Sequence, residues 1–561
     1  MDGSSPLADR RTALIARHAP LIDAAIAAVE TRQAWSPFKD SPSTKIHGPD
    51  KPVAGKAAFE AQLNRPFDLD QPGIRGRAGE EVSPYTQTPL GITYPVSDPQ
   101  ALIDAAHAAW PDWRTADPEL RVALCAEMAQ RLYETNFEMA HAVMHVAGQS
   151  YTQAFSGSGP NALDRGIEAL AFAAKSMRAV APRATWHRDF AGEAVALDKT
   201  YVLVPRGIGL VICCASFPTW NAYPAMFASL ATGNPVIIKP HPIAVLPMAI
   251  VVRECRRVLA DHGFDPNLVT LAVDTLAEPV AQLLVDHPAI QIVDFTGSPR
   301  FGGHLERTVT GKLLFTETAG VNSVVIESVT DLNAVARAIA RSSSLFSAQM
   351  CTSPQVLYVA PALADRFGRA LVEQIDAIAA DPAQAAGIMG AIQGSVSLKA
   401  VADVRATVEN RTDVQVLREA APYAHPQFPN ARTLTPLVVA VEGSAPDLYA
   451  EEHFGPVLFV VTMEGDAAVR ETTDLARTHG AISTYLYSTD EGFIDRATPL
   501  YEAAGANLSI NLTGAMWINF AAAYSDYHVT GLNPAGNACL ADAAFVASRF
   551  RIVQRRRPAT A

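Results

Sequence analysis

The sequence is short of several things, and each shortage closes off a class of function. No stretch approaches the roughly eighteen consecutive apolar residues that cross a bilayer, and the opening MDGSSPLADRR lacks the apolar centre of a secretory signal. The cytoplasm is the expected location. Basic residues are outnumbered, 45 Lys and Arg against 57 Asp and Glu for a formal charge of −12. Such a chain repels polyanions, which argues against nucleic acid or an anionic membrane as its main partner and leaves room only for a local basic pocket. Cysteine is sparse, and Cys125, Cys213, Cys214, Cys255, Cys351 and Cys539 form no C-x-x-C pair, which points to reduced thiols and away from disulfides or structural zinc. His141 and His145 stand four apart but have no third ligand in view, so two ordinary helix-face histidines account for them and no metal site is expected. No G-x-G-x-x-G closes a strand either, so the common dinucleotide fingerprint is missing.

At 561 residues the chain is too long for one core, and two large domains with appendages are expected. Residues 12–34 set Leu14, His18, Leu21, Ile22, Ala25 and Val29 on one helical face, an amphipathic helix that needs a partner surface. Residues 35–79 are rich in Pro, Gly and charge and read as an extended segment over a later domain or as a linker. From Val82, EVSPYTQTPLGITYPVSD is strand-like, and Asp98 and Pro99 offer an N-cap and first turn to the helix that follows. Residues 183–204 read as two strands around a glycine-containing turn, a projecting hairpin. From Gly207 the short apolar runs GLVICC, PVIIK, LVTLAV and QIVDF alternate with helical stretches. That alternation implies a parallel sheet covered on both faces, with ligands at the carboxyl ends of its strands. SVVIES and QVLYVA repeat it in the second half, and SRFRIVQRR reads as a last strand.

Several residues carry candidate chemistry. Cys351 is a soft nucleophile that can attack a carbonyl and let the adduct expel a hydride. Glu317, 34 positions earlier, can serve as the general base for hydrolysis of the resulting thioester. Taken singly, Cys351 reads more readily as a buried inert thiol than as a nucleophile. Lys239 ends PVIIK, where an ammonium reaches ligand hydroxyls or phosphates above the sheet, or is simply solvated. Gly297 and Ser298 turn from a strand into a helix, where backbone N–H groups can meet a phosphate or merely punctuate the chain. Gly303-His304 stands where a P-loop needs Lys-Ser/Thr, which excludes an NTPase. Glu451 and Glu452 precede HFGPVLFVV, and Cys213 and Cys214 read as small core residues of an apolar strand.

In order and spacing, PRGIGLVICCASFPTWN, ATGNPVIIKP, VDFTGS, FTETAG, SAQMCTS and EEHFGPV resemble the motif series of the aldehyde dehydrogenase superfamily, from about Val82 to the C-terminus. FPTWNAYPAMFASLATGNPVIIKPHP, AGVNSVVIES, GNACLADAAFVASRFRIV, TRQAWSPF and FDLDQPG look like its phenylacetate-degradation group (PaaN type). The resemblance implies an α/β fold with two parallel-sheet domains: a Rossmann-like cofactor domain over residues 81–182 and 205–318, and a catalytic domain over 319–544. It further implies an N-terminal extension of residues 1–80 and a β-hairpin oligomerisation arm of 183–204 and 545–557, hence a homodimer or homotetramer. By the same resemblance Cys351 is the nucleophile, Glu317 the base, Lys239 and Glu452 the ligands of cofactor ribose, Phe454 a nicotinamide contact, and Gly297-Ser298 the pyrophosphate turn. The substrate it implies is an open-chain semialdehyde carrying a CoA thioester, and the cofactor is NAD(P).

Some positions depart from the pattern. Ser216 stands where most relatives have an oxyanion-donating Asn, so the Ser216 hydroxyl is expected to join the Cys351 N–H in that role, with Asn221 as substitute. Pro242 stands where NAD-selective relatives often place an acid, which favours NADP, with NAD possible, and lets His241 approach a 2′-phosphate. Ala319-Gly320-Val321 replaces the usual Gly-Gly-Lys, and the proline–phenylalanine–glycine loop near the C-terminus is not recognisable. CoA-acylating and catalytically inactive relatives are the competing readings. The first generally lack a base such as Glu317, and the second sits poorly with retention of both Glu317 and Cys351.

Overall fold

The computed structural model describes residues 6–318, 320–515, 522–526 and 542–559. The first helix, Pro6–Thr31, buries Leu14, His18, Ile22, Ala25 and Val29 against helices Pro118–Glu134 and Pro160–Arg178. By length and composition this helix is apolar enough to cross a membrane, contrary to the expectation that no stretch approaches that length. Its apolar stripe nevertheless faces protein, and Arg17 and His18 close on Glu127 at 2.6 and 2.9 Å.

Residues 35–79 contain more regular structure than their composition suggests. Helix Asp50–Glu60 forms despite Pro52 and Gly55. A proline in a first turn lacks only an N–H that has no intrahelical partner there, and Gly55 lets the helix approach Phe137, whose Cβ would lie 2.2 Å from an added Cβ. β1 (Ile74–Ala78) pairs antiparallel with β2 (Tyr94–Ser97). The strand expected from Val82 is thus confined to Tyr94–Ser97, because Pro84 and Pro89 cannot donate to a ladder and the chain turns at Gln87 and Gly91, both at positive φ. Asp98 precedes helix Pro99–Thr115 without capping it, its carboxylate pairing with Arg75 at 2.7 Å.

β3 (Arg183–Phe190) and β4 (Glu193–Pro205) form the projecting hairpin. Ala191 and Gly192 turn it at φ of 53° and 87°, the left-handed pair that matches strand twist. Next come β5 (Ile208–Ile212), β6 (Val236–Lys239), β7 (Val269–Leu271), β8 (Ile290–Gly297) and β9 (Leu313–Thr318), all parallel in the order β7-β6-β5-β8-β9. The winding direction reverses between β5 and β8, and a crevice opens at such a point beyond the carboxyl ends of the strands.

The second sheet comprises β10 (Ser323–Ile326), β11 (Val356–Val359), β12 (Val414–Arg418), β13 (Leu437–Glu442), β14 (Val457–Thr462), β15 (Thr484–Tyr487) and β16 (Leu508–Ile510). Its order is β12-β13-β14-β11-β10-β15-β16, antiparallel only at the β12 edge. Alternate residues enter separate cores: Val325, Val356 and Tyr358 face one, and Val324, Ile326, Leu357 and Val359 the other. Such two-sided burial is why these strands read as unbroken apolar runs.

The final strand, β17 (Phe550–Pro558), returns to pair with β4. Arg549, just before it, is fully buried and grips Asp294 of β8 through Nη1–Oδ2 and Nη2–Oδ1 contacts of 2.8 and 2.6 Å.

Candidate active site

Cys351, Glu317, Ser216, Asn221, Lys239, His241, Gly297, Ser298, Glu452 and Phe454 line one cavity of about 1160 Å³, while Glu451 does not. The first sheet delivers its share from strand carboxyl ends: Ser216 and Asn221 follow β5, Lys239 ends β6 with His241 just beyond, Gly297 ends β8 with Ser298 after it, and Glu317 lies in β9. The second sheet delivers its share from the approaches to its strands, Cys351 before β11 and Glu452 and Phe454 before β14. Two sheets are therefore needed to build the site.

The thiol loop is held under backbone strain. Phe346, Ser347 and Ala348 all adopt positive φ, at 52°, 49° and 52°, a conformation that costs L-residues of order 1–3 kcal/mol each unless surroundings enforce it. Here the Ser347 hydroxyl donates to Met389 O, and Gln349 Nε2 donates to Phe346 O and Ala391 O, both at 3.1 Å. Asn322, buried at the entry to β10, fixes the other side of the loop. Its Nδ2 donates to Cys351 O at 2.7 Å and to Ser353 O at 3.1 Å, while its Oδ1 accepts from Ile482 N and Ser483 N at 3.1 and 3.0 Å.

Cys351 is reachable from the cavity yet deep beneath the surface. Burial, and then the negative charge of Glu317, push its thiol well above the ordinary range, so in the cofactor-free protein at neutral pH it is protonated and needs a base. Glu317 is itself buried. Ser216 also lies in the wall, its carbonyl accepting from Gln149 Nε2 at 2.8 Å. Asn221 Nδ2 donates across to Thr296 Oγ1 at 3.1 Å. Cys213 and Cys214 are not strand residues: β5 stops at Ile212 and both line the cavity. Cys214 is partly exposed there.

At the other end Lys239 is buried, not solvated, and its Nζ pairs with Asp274 Oδ1 at 2.7 Å. His241 is held down to about 4, first by burial and then by Lys239, and is therefore uncharged at neutral pH. Ser298 caps helix Pro299–Thr308, and Gly297, Ser298 and Pro299 face the cavity at that helix's positive end. The glycines also serve packing: an added Cβ on Gly297 or Gly302 would meet Phe295 at 2.7 Å or Thr318 at 2.4 Å. Burial raises Glu452 to about 8; it is partly exposed and lines the cavity. An ammonium, a helix N-terminus and a carboxyl around one elongated space suit the ribose hydroxyls and pyrophosphate of a dinucleotide.

Three contributors were not picked out from the sequence: Asn322, Asp274 and Asp40. An amide poised before a strand that follows a base was the only signal for Asn322. Nothing local marked Asp274 or Asp40, and the latter carries the segment after Trp35 into the cavity wall. No group of three potential metal ligands occurs among the described residues. His141 and His145 instead stack on Phe59, with ring centroids 5.9 and 4.9 Å away, and burial first lowers both to about 4. Gly320 is required where it stands, because an added Cβ would meet the Gly480 carbonyl at 2.3 Å. Ala319, Cys539, most of GNACLADAAFVASRFRIV before Ala543, and much of the region of the unrecognised loop lie outside the described residues.

Comparison with known proteins bears on the family and the fold. The model of the aldehyde dehydrogenase family matches residues 75–520. A crystal structure of an NAD-dependent aldehyde dehydrogenase from Burkholderia multivorans superposes with a TM-score of 0.93 at 41% identity, covering 98% of this chain and 99% of that one. An N-succinylglutamate 5-semialdehyde dehydrogenase of Pseudomonas fluorescens is 26% identical over 72% of this chain and 80% of its own length. A vanillin dehydrogenase of the same species is 25% identical over 75% and 84%. By family model, fold and relatives, this chain belongs to the aldehyde dehydrogenase family and is an oxidoreductase acting on aldehydes.

Proposed function

We propose that this protein oxidises an aldehyde to a carboxylic acid through a thioester on Cys351, with NAD or NADP as hydride acceptor. The observation that carries this reading is the meeting of Cys351 and Glu317 in one cavity with Lys239, Ser298 and Glu452. At about 1160 Å³ the cavity slightly exceeds the usual single-ligand range of about 300–1,000 Å³, as suits two ligands bound together. Glu317 takes the proton of the buried thiol, and Sγ bonds to the carbonyl carbon. The Cys351 N–H and the Ser216 hydroxyl, with Asn221 as substitute, bear the negative oxygen. Phe454 would hold a nicotinamide, which would supply the acceptor for the hydride that the adduct expels as it becomes a thioester. Once Glu317 has passed the thiol proton out to solvent, it removes a proton from water, which attacks the thioester; the C–S bond breaks, the acid leaves, and Sγ takes the proton from Glu317 to become free thiol. Lys239 and Glu452 hold ribose hydroxyls, and the Gly297-Ser298 turn holds the pyrophosphate.

The resemblance to the phenylacetate-degradation group supports an open-chain, CoA-linked semialdehyde as substrate. Phe217, Trp220, Phe346, Met350, Ile388 and Val396 give the cavity an apolar stretch suited to its carbon chain, and Asp40 makes the segment after Trp35 part of the wall. Residues 81–182 and 205–318 serve as the cofactor domain and 319–544 as the catalytic domain, while 183–204 and 545–557, joined in the sheet of β3, β4 and β17, form the arm of a homodimer or homotetramer.

The test is nicotinamide reduction at its absorbance band with aliphatic, aromatic and CoA-linked aldehydes, in wild type and Cys351→Ala. Turnover lost in the variant supports the mechanism, and turnover confined to CoA-linked semialdehydes supports the substrate. No reduction with any aldehyde refutes the proposal.

A further inference from the structure

Pro242 leaves the adenosine end of the cavity without an acid in the expected sequence position, but the fold supplies another. β6 and β7 run parallel with Ile238 opposite Leu271, and Ala272 N donates to Ile238 O at 2.8 Å. The chain leaving β7 therefore passes beside the chain leaving β6. Lys239, the last residue of β6, meets Asp274 there, with Nζ and Oδ1 2.7 Å apart and the two side chains 7% and 1% exposed. The second carboxylate oxygen accepts from Val280 N at 3.0 Å, which fixes the acid in place.

Among the described lining residues nearby, no second permanent positive charge offsets it. Glu80 accepts from Leu276 N at 3.0 Å and acts on His241 as a nearby negative charge. His241 is uncharged at neutral pH, and its Nδ1 already faces Ile243 N at 3.4 Å. Among the described lining residues the permanent cations are Lys239 and Arg341, and Arg341 sits on helix Leu332–Ser344 of the other domain. Lys239 is thus the local cation, and it is neutralised by its partner.

We infer that Asp274, by holding Lys239 in a buried ion pair, makes the adenosine subsite select a free ribose 2′-hydroxyl over a 2′-phosphate, so that NAD is preferred to NADP. The inference rests on the function proposed above. Asp274 does not line the cavity, so it acts as a positioning residue through Lys239. A paired ammonium still has N–H groups to donate to hydroxyl oxygens. A phosphate dianion instead meets a buried carboxylate at short range, or draws Lys239 away and leaves that carboxylate uncompensated; both are costly where the local dielectric is low.

The test is direct titration of NADH and NADPH by nicotinamide fluorescence, without aldehyde, in wild type, Asp274→Asn and Asp274→Glu. Wild type should bind NADH about tenfold or more tightly than NADPH, from a repulsion worth at least one power of ten. Asp274→Asn should bring the two dissociation constants together, chiefly by tightening NADPH, and Asp274→Glu should keep the preference. A purely structural role would weaken both ligands equally, so an unmoved ratio in Asp274→Asn overturns the inference, as does equal binding by wild type. Should Asp274→Asn fail to fold, competition by 5′-ADP against 2′,5′-ADP in wild type decides: stronger binding of the 2′-phosphorylated compound overturns it. Binding of neither dinucleotide overturns this inference and the proposed function together, whereas binding of both with an unmoved ratio overturns this inference alone.

Discussion

Replacing Asn322 tests whether the thiol loop is aimed by a single amide. Asn322→Asp is nearly isosteric and keeps the acceptor for Ile482 N and Ser483 N, but it removes the donors to Cys351 O and Ser353 O. Each buried carbonyl left without a donor costs about 1–3 kcal/mol, so the loop loses roughly 2–6 kcal/mol of local restraint, and a carboxylate oxygen now opposes two carbonyl oxygens. A nucleophile displaced by about 1 Å loses on the order of a hundredfold in rate. The expected result is therefore a fall in kcat of about a hundredfold, with little change in dinucleotide affinity, because Lys239, Ser298 and Glu452 lie on other segments. Steady-state kinetics with nicotinamide readout, paired with fluorescence titration of NADH, measure the two separately. A kcat within threefold of wild type in a protein that still binds NADH would refute the argument that Asn322 positions Cys351.

Other perturbations follow from the same geometry. Because burial and Glu317 hold the Cys351 thiol protonated, iodoacetamide should label it slowly at neutral pH and faster as pH rises. Glu317→Gln should speed that labelling while abolishing turnover, and slower labelling in the variant would contradict the electrostatic account. Glu452, Asp164 and Glu168 are each raised to about 8 by burial. A raised carboxyl contributes stability that is complete below its unfolded value and lost as pH climbs through its folded value. The melting temperature should therefore fall between about pH 5 and 9, and Glu452→Gln should flatten part of that slope; an unchanged slope counts against it. Arg549→Ala strands Asp294 without its bidentate partner and should cost about 3–5 kcal/mol, seen as a lower denaturation midpoint. A midpoint equal to wild type would show that the clamp contributes nothing.

Local pattern was enough where an element's chemistry is its own. The apolar runs of β5, β6, β8, β10 and β11 are legible because a strand buried on both faces must be apolar throughout. Gly192 marks its hairpin because glycine adopts the left-handed conformation of such turns without a Cβ clash. Pattern misled where packing decided. Pro52 and Gly55 look like helix breakers, yet one sits in a first turn and the other is the contact that seats the helix on Phe137. Cys213 and Cys214 looked like the end of a strand, but the ladder stops at Ile212 and the chain turns into the cavity wall.

The sequence alone determined the alternation of strands and helices, the family resemblance, and the thiol, carboxylates and lysine assigned to chemistry, since side-chain type and period are written residue by residue. Which of them meet was decided only by the tertiary structure. Lys239 lies 35 positions from Asp274, and Asn322 lies 29 from Cys351 and 160 from Ile482. Separations of that size carry no local periodicity to be read. Strand order, the reversal between β5 and β8, and the way two sheets face each other set those distances, and with them the charge that a bound cofactor meets.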